Sequence, residues 1–326
     1  MAWDSPEPTP PRPASSDEGA LEERLAARLS HEILREQRRA RRWGIFFKLL
    51  AFAYVGFFLV LSLPPTARIG LSGEPYTALV DLEGVIMADS AASADNIVKG
   101  LRAAFEDGTP AGVILRINSP GGSPVQAGRI NDEIHRLRET YPDIPLYAVI
   151  EDVCASGGYY VAAAAERIYA DKASLIGSIG VRMDGFGFVD SLDKLGVERR
   201  LLTAGADKAF LDPFSPLDER HVAHVRDMLA EIHQQFINTV LKGRRDRLRD
   251  DPALFSGLVW SGERSLALGL IDEFGSAGQV AREVIGAERI VDFTPRDYSL
   301  DAILRRGGAS LLDGLWAHLA GRTRLE

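Results

Sequence analysis

Hydrophobic and polar positions between residues 76 and 165 form short apolar runs separated by stretches with helical spacing. Three of the runs have the length of buried strands. They are YTALVDLEGVI (76–86), AGVILRIN (111–118) and PLYAVIE (145–151). Helices are predicted between them, near Ala94 to Glu106 and near Val125 to Glu139, and a third is predicted after Ser156. Strands that alternate with helices predict parallel pairing, and therefore an α/β fold.

The second half of the chain is less regular. Residues 167–189, RIYADKASLIGSIGVRMDGFGFV, predict short strands and turns. A long helix is predicted from about Pro216 to Arg249, and SGERSLALGLIDEFGS (261–276) predicts a short helix that stops at a glycine.

A longer apolar run precedes this α/β part. Gly44 to Leu63 is apolar apart from Lys48, and about 20 such residues can cross a bilayer as a helix. Five arginines lie within residues 35–42, directly before it, whereas residues 64–75 beyond it carry a single arginine. The positive-inside rule then predicts a single-pass protein of the cell (inner) membrane, with a cytoplasmic N-terminus and the α/β part on the outer, periplasmic side. The alternative is a cleaved signal peptide, whose apolar core is shorter, about 7 to 15 residues.

Residues 1–42 are predicted to form a cytoplasmic tail. A Pro- and Ser-rich start leads into a basic helix from Ala20 to Arg42, in which leucine or isoleucine recurs every four residues. This amphipathic helix could bind anionic lipid or pair in an oligomer, or it could be a solvated extension of the span. The predicted domains are the tail (1–42), the anchor (43–63), a linker (64–75), the α/β domain (76–295) and a C-terminal extension (296–326).

Composition narrows the class of protein. The chain has 326 residues, of which 46% are hydrophobic and 26% charged, as in ordinary globular proteins. The net charge is −8 and the cations are dispersed, so no nucleic-acid partner is expected. Cys154 is the only cysteine, which excludes an intramolecular disulfide and a cysteine-cluster zinc site. Its apolar neighbours predict a buried packing residue.

Two glycine-rich turns carry the candidate chemistry. NSPGGS (118–123) and ASGG (155–158) both follow a predicted strand and precede a predicted helix, so they should be neighbours at one edge of the sheet. Ser156 would lie at a helix N-terminus, where free N–H groups favour a developing negative charge. We assign it as a candidate nucleophile, with the backbone N–H groups of Gly122 and Gly157 as the oxyanion hole. A plain helix cap with a flexible turn is the alternative.

Five motifs together resemble the signal peptide peptidase A family of membrane-bound serine peptidases, of the half-length type. They are NSPGGS (118–123), CASGGYYVAAAA (154–165), LIGSIGV (175–181), TAGADKAFLDPFSP (203–216) and SGERSLALGLIDEFG (261–275). NSPGG is also shared with Clp protease and, more loosely, with the crotonase superfamily. The resemblance implies a Clp/crotonase-like parallel sheet with helices. It also implies that Ser156 is the nucleophile, that Lys208 is the base and that Ser178 orients the lysine.

The residue chemistry agrees with a lysine base. No histidine occurs between His135 and His221, where a Ser/His/Asp order of the Clp type would need one. To accept a proton Lys208 must be neutral, so burial by substrate or a neighbouring subunit has to depress its pKa of about 10.4. Asp207 and Asp212 would raise that pKa if they faced the ammonium, and we expect both to point away.

Two other lysines compete with Lys208 for this role. Lys172 lies in ADKAS, and Ser191 with Lys194 fits the Ser-x-x-Lys pattern of penicillin-binding proteins. The Ser-Asp-Asn and Lys-Thr-Gly motifs that accompany that pattern are missing from the sequence, and DSLDKLGV predicts an exposed helix with a glycine stop.

These expectations define a membrane-anchored serine endopeptidase that needs no metal or organic cofactor. The resemblance implies remnant signal peptides as substrates, contact with membrane lipid, and a homo-oligomeric ring in which adjacent protomers supply Ser156 and Lys208. The apolar residues of LIGSIGV could line a substrate groove or pack in the core. Three alternatives stay open: a protease with the same dyad that acts on other membrane or envelope proteins, a crotonase-like acyl-CoA enzyme, and a non-catalytic membrane scaffold.

Overall fold

The computed structural model of the protein describes residues 41–56, 74–106 and 110–295. Residues 41–56 form one helix, which belongs to a different structural unit from residues 74–295. All its side chains are exposed, and the ring of Trp43 lies 5.8 Å from those of Phe46 and Phe47.

Across these described ranges, no helix has both the length and the apolar character needed to span a bilayer. The predicted span continues through residues 57–63, which lie outside the described part, so the transmembrane anchor stays a prediction. Most of the tail and linker and residues 296–326 also lie outside it.

Eight strands of the α/β unit form one sheet. They are β1 (Thr77–Glu83), β2 (Gly112–Ser119), β3 (Leu146–Ala155), β4 (Arg167–Ala170), β5 (Leu175–Gly177), β6 (Val259–Ser261), β7 (Glu273–Phe274) and β8 (Ile290–Asp292). The order is β6-β5-β3-β2-β1-β8, with β4 paired to β3 and β7 paired to β4. The pairings are parallel except that between β5 and β6. The prediction of a mixed α/β fold around a parallel sheet is confirmed.

Helices connect the strands. They are α1 (Ala94–Glu106), α2 (Pro124–Thr140), α3 (Gly157–Ala162), α4 (Val189–Lys194), α5 (Glu219–Arg244), α6 (Gly262–Leu268) and α7 (Ala277–Gln279), which continues as a π-helix over Val280–Ile285. The local sequence fixes several of their ends. Ser123 caps α2 just before a proline, Asp218 caps α5, and α6 ends at Gly269 with φ 79°.

Both faces of the central strands are buried, which explains their continuous apolar runs. On one face Val113, Leu115 and Ile117 of β2 belong to the main core. On the other face Ile114 belongs to a smaller cluster that includes Val280 of the π-helix. Cys154 is buried and free, and burial raises the pKa of its thiol, so the prediction of a packing cysteine is confirmed.

Two helices differ from their predicted lengths. The long helix is shorter than Pro216 to Arg249: α5 begins after its cap at Asp218 and ends where Arg245 turns to φ 52°. The alanine-rich helix α3 has only six residues, because the chain turns away after Ala162. The chain just after α3 packs closely on α5, since a Cβ on Gly243 would lie 1.9 Å from the carbonyl oxygen of Ala163.

Candidate functional site

The turn after β2 is fixed by hydrogen bonds to the segment that follows β1. Ile86 donates its N–H to the carbonyl of Gly121 (2.9 Å) and accepts from the N–H of Ser123 (2.8 Å). The Ser119 hydroxyl donates to the carbonyl of Gly84 (2.6 Å) and accepts from the N–H of Gly121 (3.1 Å). This buried serine holds the glycine turn in place at the carboxyl end of the sheet.

The two glycine turns are in contact, as the sequence predicted. A Cβ placed on Gly121 would lie 2.8 Å from the Cβ of Ser156 and 2.6 Å from the nitrogen of Gly157. A Cβ on Gly157 would lie 3.2 Å from the nitrogen of Gly122. Glycine is required at position 121 because its φ is 94° and because any side chain would collide with the Ser156 turn.

Ser156 sits in a strained backbone conformation between β3 and α3. Its φ and ψ are 52° and −121°, values that residues other than glycine rarely adopt. Its N–H donates to the carbonyl of Gly177 on β5 (2.8 Å), and its carbonyl accepts from Tyr160 (3.0 Å). The half-buried side chain makes no capping hydrogen bond, unlike that of Ser261, which caps α6. The strain therefore cannot be attributed to helix capping.

The N–H groups of Gly122 and Gly157 lie beside this serine. Within the part of the chain that the structure describes, neither N–H has a hydrogen-bond acceptor. Gly122 has φ 153°, and a Cβ there would lie 2.2 Å from the carbonyl oxygen of Ile86. Two adjacent backbone donors without an acceptor can bind an oxyanion that forms on a carbonyl attacked by Ser156.

Ser178 lies beside Ser156, because β5 pairs in parallel with β3. Ala155, the last residue of β3, is opposite Gly177, the last residue of β5. Ser156 and Ser178 therefore follow two paired strands at the same level. Ser178 also has a positive φ, 53°, and its N–H donates to the carbonyl of Leu258 (2.7 Å). The structure thus brings together these two of the three residues of the expected Ser/Lys/Ser set.

Lys208 is not part of this arrangement within one chain. It is exposed in an irregular segment, and its backbone N–H donates to the carbonyl of Gly205 (3.2 Å). Among the described residues, no hydrogen bond or ion pair joins its side chain to Ser156 or Ser178. The burial expected of a lysine base is not found in the isolated chain, because the segment around Lys208 leaves it facing solvent.

The two acidic neighbours of Lys208 have other partners. The Asp207 carboxylate accepts from Nε2 of His221 (3.0 Å), and Arg199 binds Asp212, which also accepts from Ser215. In the described part of the chain neither carboxylate forms an ion pair with Lys208. Each carboxylate is therefore held by a partner other than the Lys208 ammonium.

The competing lysines lie elsewhere in the fold. Lys172 is exposed, with its ammonium 5.7 Å from the centre of the Phe274 ring. Ser191 and Lys194 lie on the exposed helix α4, which is followed by a glycine at φ 68°, as predicted.

The apolar residues of LIGSIGV divide between surface and core. Ile176 and Ile179 are fully buried in the main cluster, whereas Leu175 is 48% exposed. Both isoleucines therefore pack in the core, which was the second possibility given for this motif.

Sequence reasoning missed several residues that support the site. Ser119 and Ile86 hold the glycine turn after β2, which carries the Gly122 N–H and is called the oxyanion turn below. Nε2 of His233 on α5 donates to the carbonyl of Ile179 (3.1 Å), next to Ser178. Gly177 packs against Trp260, whose Cδ1 would be 3.0 Å from a Cβ at that glycine. These contacts join distant segments, and only the unusual density of glycines near both serines hinted at them.

The oxyanion turn gives a direct test. We expect Gly122→Ala to lower kcat for any acyl-transfer reaction at Ser156 by about 10² to 10³, because its Cβ would displace one N–H donor. Gly128→Ala in α2 is the matched control: a Cβ there meets nothing within 4 Å, and it should stabilise the helix by roughly 0.5 to 1 kcal/mol. Turnover and thermal unfolding of both variants check this. Equal turnover in both would show that the Gly122 turn does not contact the reacting group.

A serine on a strained strand-to-helix turn, beside two backbone N–H donors without acceptors, has the geometry that serine hydrolases require. Residues 139–288 match the model of Peptidase family S49. This segment, just under half of the chain, is therefore similar to that family. The matched region contains Ser156, Ser178 and Lys208.

The curated relatives carry different names, two of them those of peptidases. The chain is 43% identical over 186 residues to the Na(+)/H(+) antiporter NhaA of Brucella abortus (strain 2308), covering 57% of this chain and 25% of that protein. It is 29% identical over 206 residues to the putative signal peptide peptidase SppA of Enterococcus faecium, covering 63% and 59%. It is 31% identical over 232 residues to Protease 4 of Haemophilus influenzae, covering 69% and 37%. The chain thus spans less than two thirds of the length of each of these proteins.

Proposed function

We propose that the protein is a membrane-anchored serine endopeptidase in which Ser156 attacks a peptide carbonyl and Lys208 accepts its proton. The observation that carries this proposal is the strained Ser156 turn beside the N–H groups of Gly122 and Gly157. Ser178, which follows the strand paired with that of Ser156, would orient the lysine. The match of residues 139–288 to the model of Peptidase family S49 supports peptide bonds as the substrate class.

The chemistry needs only these groups. As the Ser156 Oγ forms a bond to the carbonyl carbon, its proton passes to neutral Lys208 and the oxyanion is held by the two glycine N–H groups. The C–N bond then breaks, and the Lys208 ammonium gives its proton to the leaving amine. Water attacks the resulting ester and loses a proton to Lys208. The ester C–Oγ bond then breaks, the Lys208 ammonium returns its proton to the Ser156 Oγ, and the acid product leaves, so these steps use no metal or organic cofactor.

Lys208 is exposed, and among the described residues no hydrogen bond joins it to Ser156, which supports a dyad shared between protomers of a ring. Lys208 lies in a segment that exposes large apolar side chains, with Phe186 at 81%, Leu202 at 95% and Leu217 at 71% exposure. Apolar surface of this extent favours contact with another copy. A neighbouring protomer seated there would exclude water from Lys208 and depress its pKa, as a lysine base requires.

We propose remnant signal peptides as substrates and the cell (inner) membrane as the location. The relative named as a putative signal peptide peptidase supports the first, and the apolar run from Gly44 to Leu63 supports the second. In this topology the tail faces the cytoplasm and the peptidase domain, 76–295, lies on the outer side. Other membrane or envelope proteins are the alternative substrates, because the same dyad would cleave them by the same chemistry.

Cleavage of defined substrates tests this function. The detergent-solubilised full chain would be given a fluorogenic peptide with an apolar signal-peptide segment, a polar peptide of equal length, and an acyl-CoA thioester. We expect cleavage of the apolar peptide with the highest kcat/KM. Preference for the polar peptide would favour other envelope substrates. Turnover of the thioester alone would favour a crotonase-like enzyme. No turnover of any of the three substrates by an assembled oligomer would favour a non-catalytic scaffold.

A further inference from the structure

The position of Asp207 next to Lys208 poses a problem for the proposed function, on which the following inference rests. A carboxylate within about 4 to 6 Å of an ammonium stabilises the charged form and raises its pKa. A lysine that must be neutral to accept a proton from Ser156 would then be protonated for more of the time at neutral pH. The chain therefore has to keep the Asp207 carboxylate occupied elsewhere.

The structure shows what occupies it. Nε2 of His221 lies 3.0 Å from Oδ1 of Asp207, and since a carboxylate only accepts, this nitrogen carries the hydrogen. Arg220 is more distant, 3.7 Å from the same oxygen, and its shorter contact is with Asp218 at 2.8 Å. The His221 side chain is only 14% exposed, whereas that of Asp207 is 57% exposed. The imidazole is thus a fixed partner for a carboxylate on the surface.

On the C-terminal side of Lys208, aromatic packing also joins the segment that carries this lysine to α5. The Phe210 ring lies 5.1 Å from the His221 ring and 5.8 Å from that of His224. His221 and His224 both belong to α5, close to its capped start. The residues on either side of Lys208 are therefore attached to one rigid helix.

We propose that Asp207 and His221 form a latch that positions the segment carrying Lys208 and keeps the Asp207 carboxylate away from the lysine ammonium. Both are positioning residues, because they act on the reaction through Lys208. The charged and titratable groups around His221 are Asp207 from the segment and Asp218, Arg220 and His224 from its own helix. A neutral and a protonated imidazole can both donate Nε2–H, so the latch closes in either state.

The pH profile of kcat/KM tests the latch, using the full chain in detergent at equal oligomeric size. His221→Phe retains a ring against Phe210 and removes the donor, so the freed carboxylate can reach Lys208. We expect the acidic limb to move up by about one pH unit, with about tenfold lower activity on that limb. Asp207→Asn combined with His221→Phe should return the limb to its original pH, because no carboxylate is left. His224→Phe, the matched control, should leave the limb in place.

The outcomes separate the latch from a structural effect and from failure of the proposed function. An unmoved limb in His221→Phe would overturn the latch, and so would a shift that persists in the double variant, since loss of packing alone is not repaired by removing a charge. Lys208→Ala distinguishes the two levels. If Lys208→Ala is inactive and the acidic limb of His221→Phe does not move, only the latch is overturned. If Lys208→Ala is fully active, the assignment of Lys208 as the base is wrong, and the latch is overturned with it.

Discussion

Ser156→Ala is expected to lower kcat/KM for peptide cleavage by about 10⁴ or more, while thermal unfolding stays unchanged. The loss is large because the variant has no oxygen to form the acyl-enzyme. Stability should not change because the Ser156 side chain makes no capping hydrogen bond and the site is half-buried. Peptide cleavage and thermal unfolding of the purified variant measure the two effects separately.

Ser261→Ala is the matched control for that experiment. Ser261 also precedes a short helix, but its hydroxyl accepts from the N–H of Arg264, so its loss should cost about 1 kcal/mol of stability. Its activity should remain. The two variants should therefore show opposite patterns. Ser156→Ala should lose activity and keep its stability, whereas Ser261→Ala should lose stability and keep its activity. Activity retained by Ser156→Ala would contradict the nucleophile assignment.

Lys208→Ala is expected to lower kcat/KM by about 10² to 10⁴, the range that a general base contributes. Lys208→Arg should be similarly impaired, because a guanidinium stays protonated. Stability should change little, since the side chain is exposed and makes no ion pair within the described residues. Lys194→Ala on α4 is the control and should be as active as the parent.

A mixed oligomer locates the lysine. If neighbouring protomers supply Ser156 and Lys208, co-assembly of Ser156→Ala with Lys208→Ala chains regenerates some complete sites and restores part of the activity. Each variant alone stays inactive. No recovery in mixed oligomers of the parent's size would place both residues of each site in one chain, and wild-type activity of Lys208→Ala would contradict the base assignment.

The central fold could be predicted from sequence because its physical signals are local. Strands buried on both faces read as apolar runs, and α1 was predicted at its observed bounds, Ala94 to Glu106. The contact between the two glycine turns also followed, because parallel strands end at one edge. The antiparallel pair β5 and β6 could not be predicted, since each strand has three residues and its pairing depends on segments distant in sequence.

The site was predictable to the same extent. Ser156, Gly122 and Gly157 come together through strand order alone, and the positive φ of Ser156 adds a strain that no local pattern reveals. Ser119 could not be assigned, because its role depends on Gly84 across a strand pair. The contacts of the Lys208 side chain could not be derived either. The side chain is exposed in a single chain, so its contacts depend on any protein that binds over it.

The most direct test of Ser156 as the nucleophile is covalent labelling by a serine-directed phosphonylating probe, followed by mass spectrometry of the labelled peptides. We expect one modification on the peptide that contains Ser156, with loss of peptide cleavage in proportion to the labelled fraction, and no labelling of Ser156→Ala. Labelling of a different serine that parallels the loss of activity, or full cleavage by fully labelled Ser156, would contradict it.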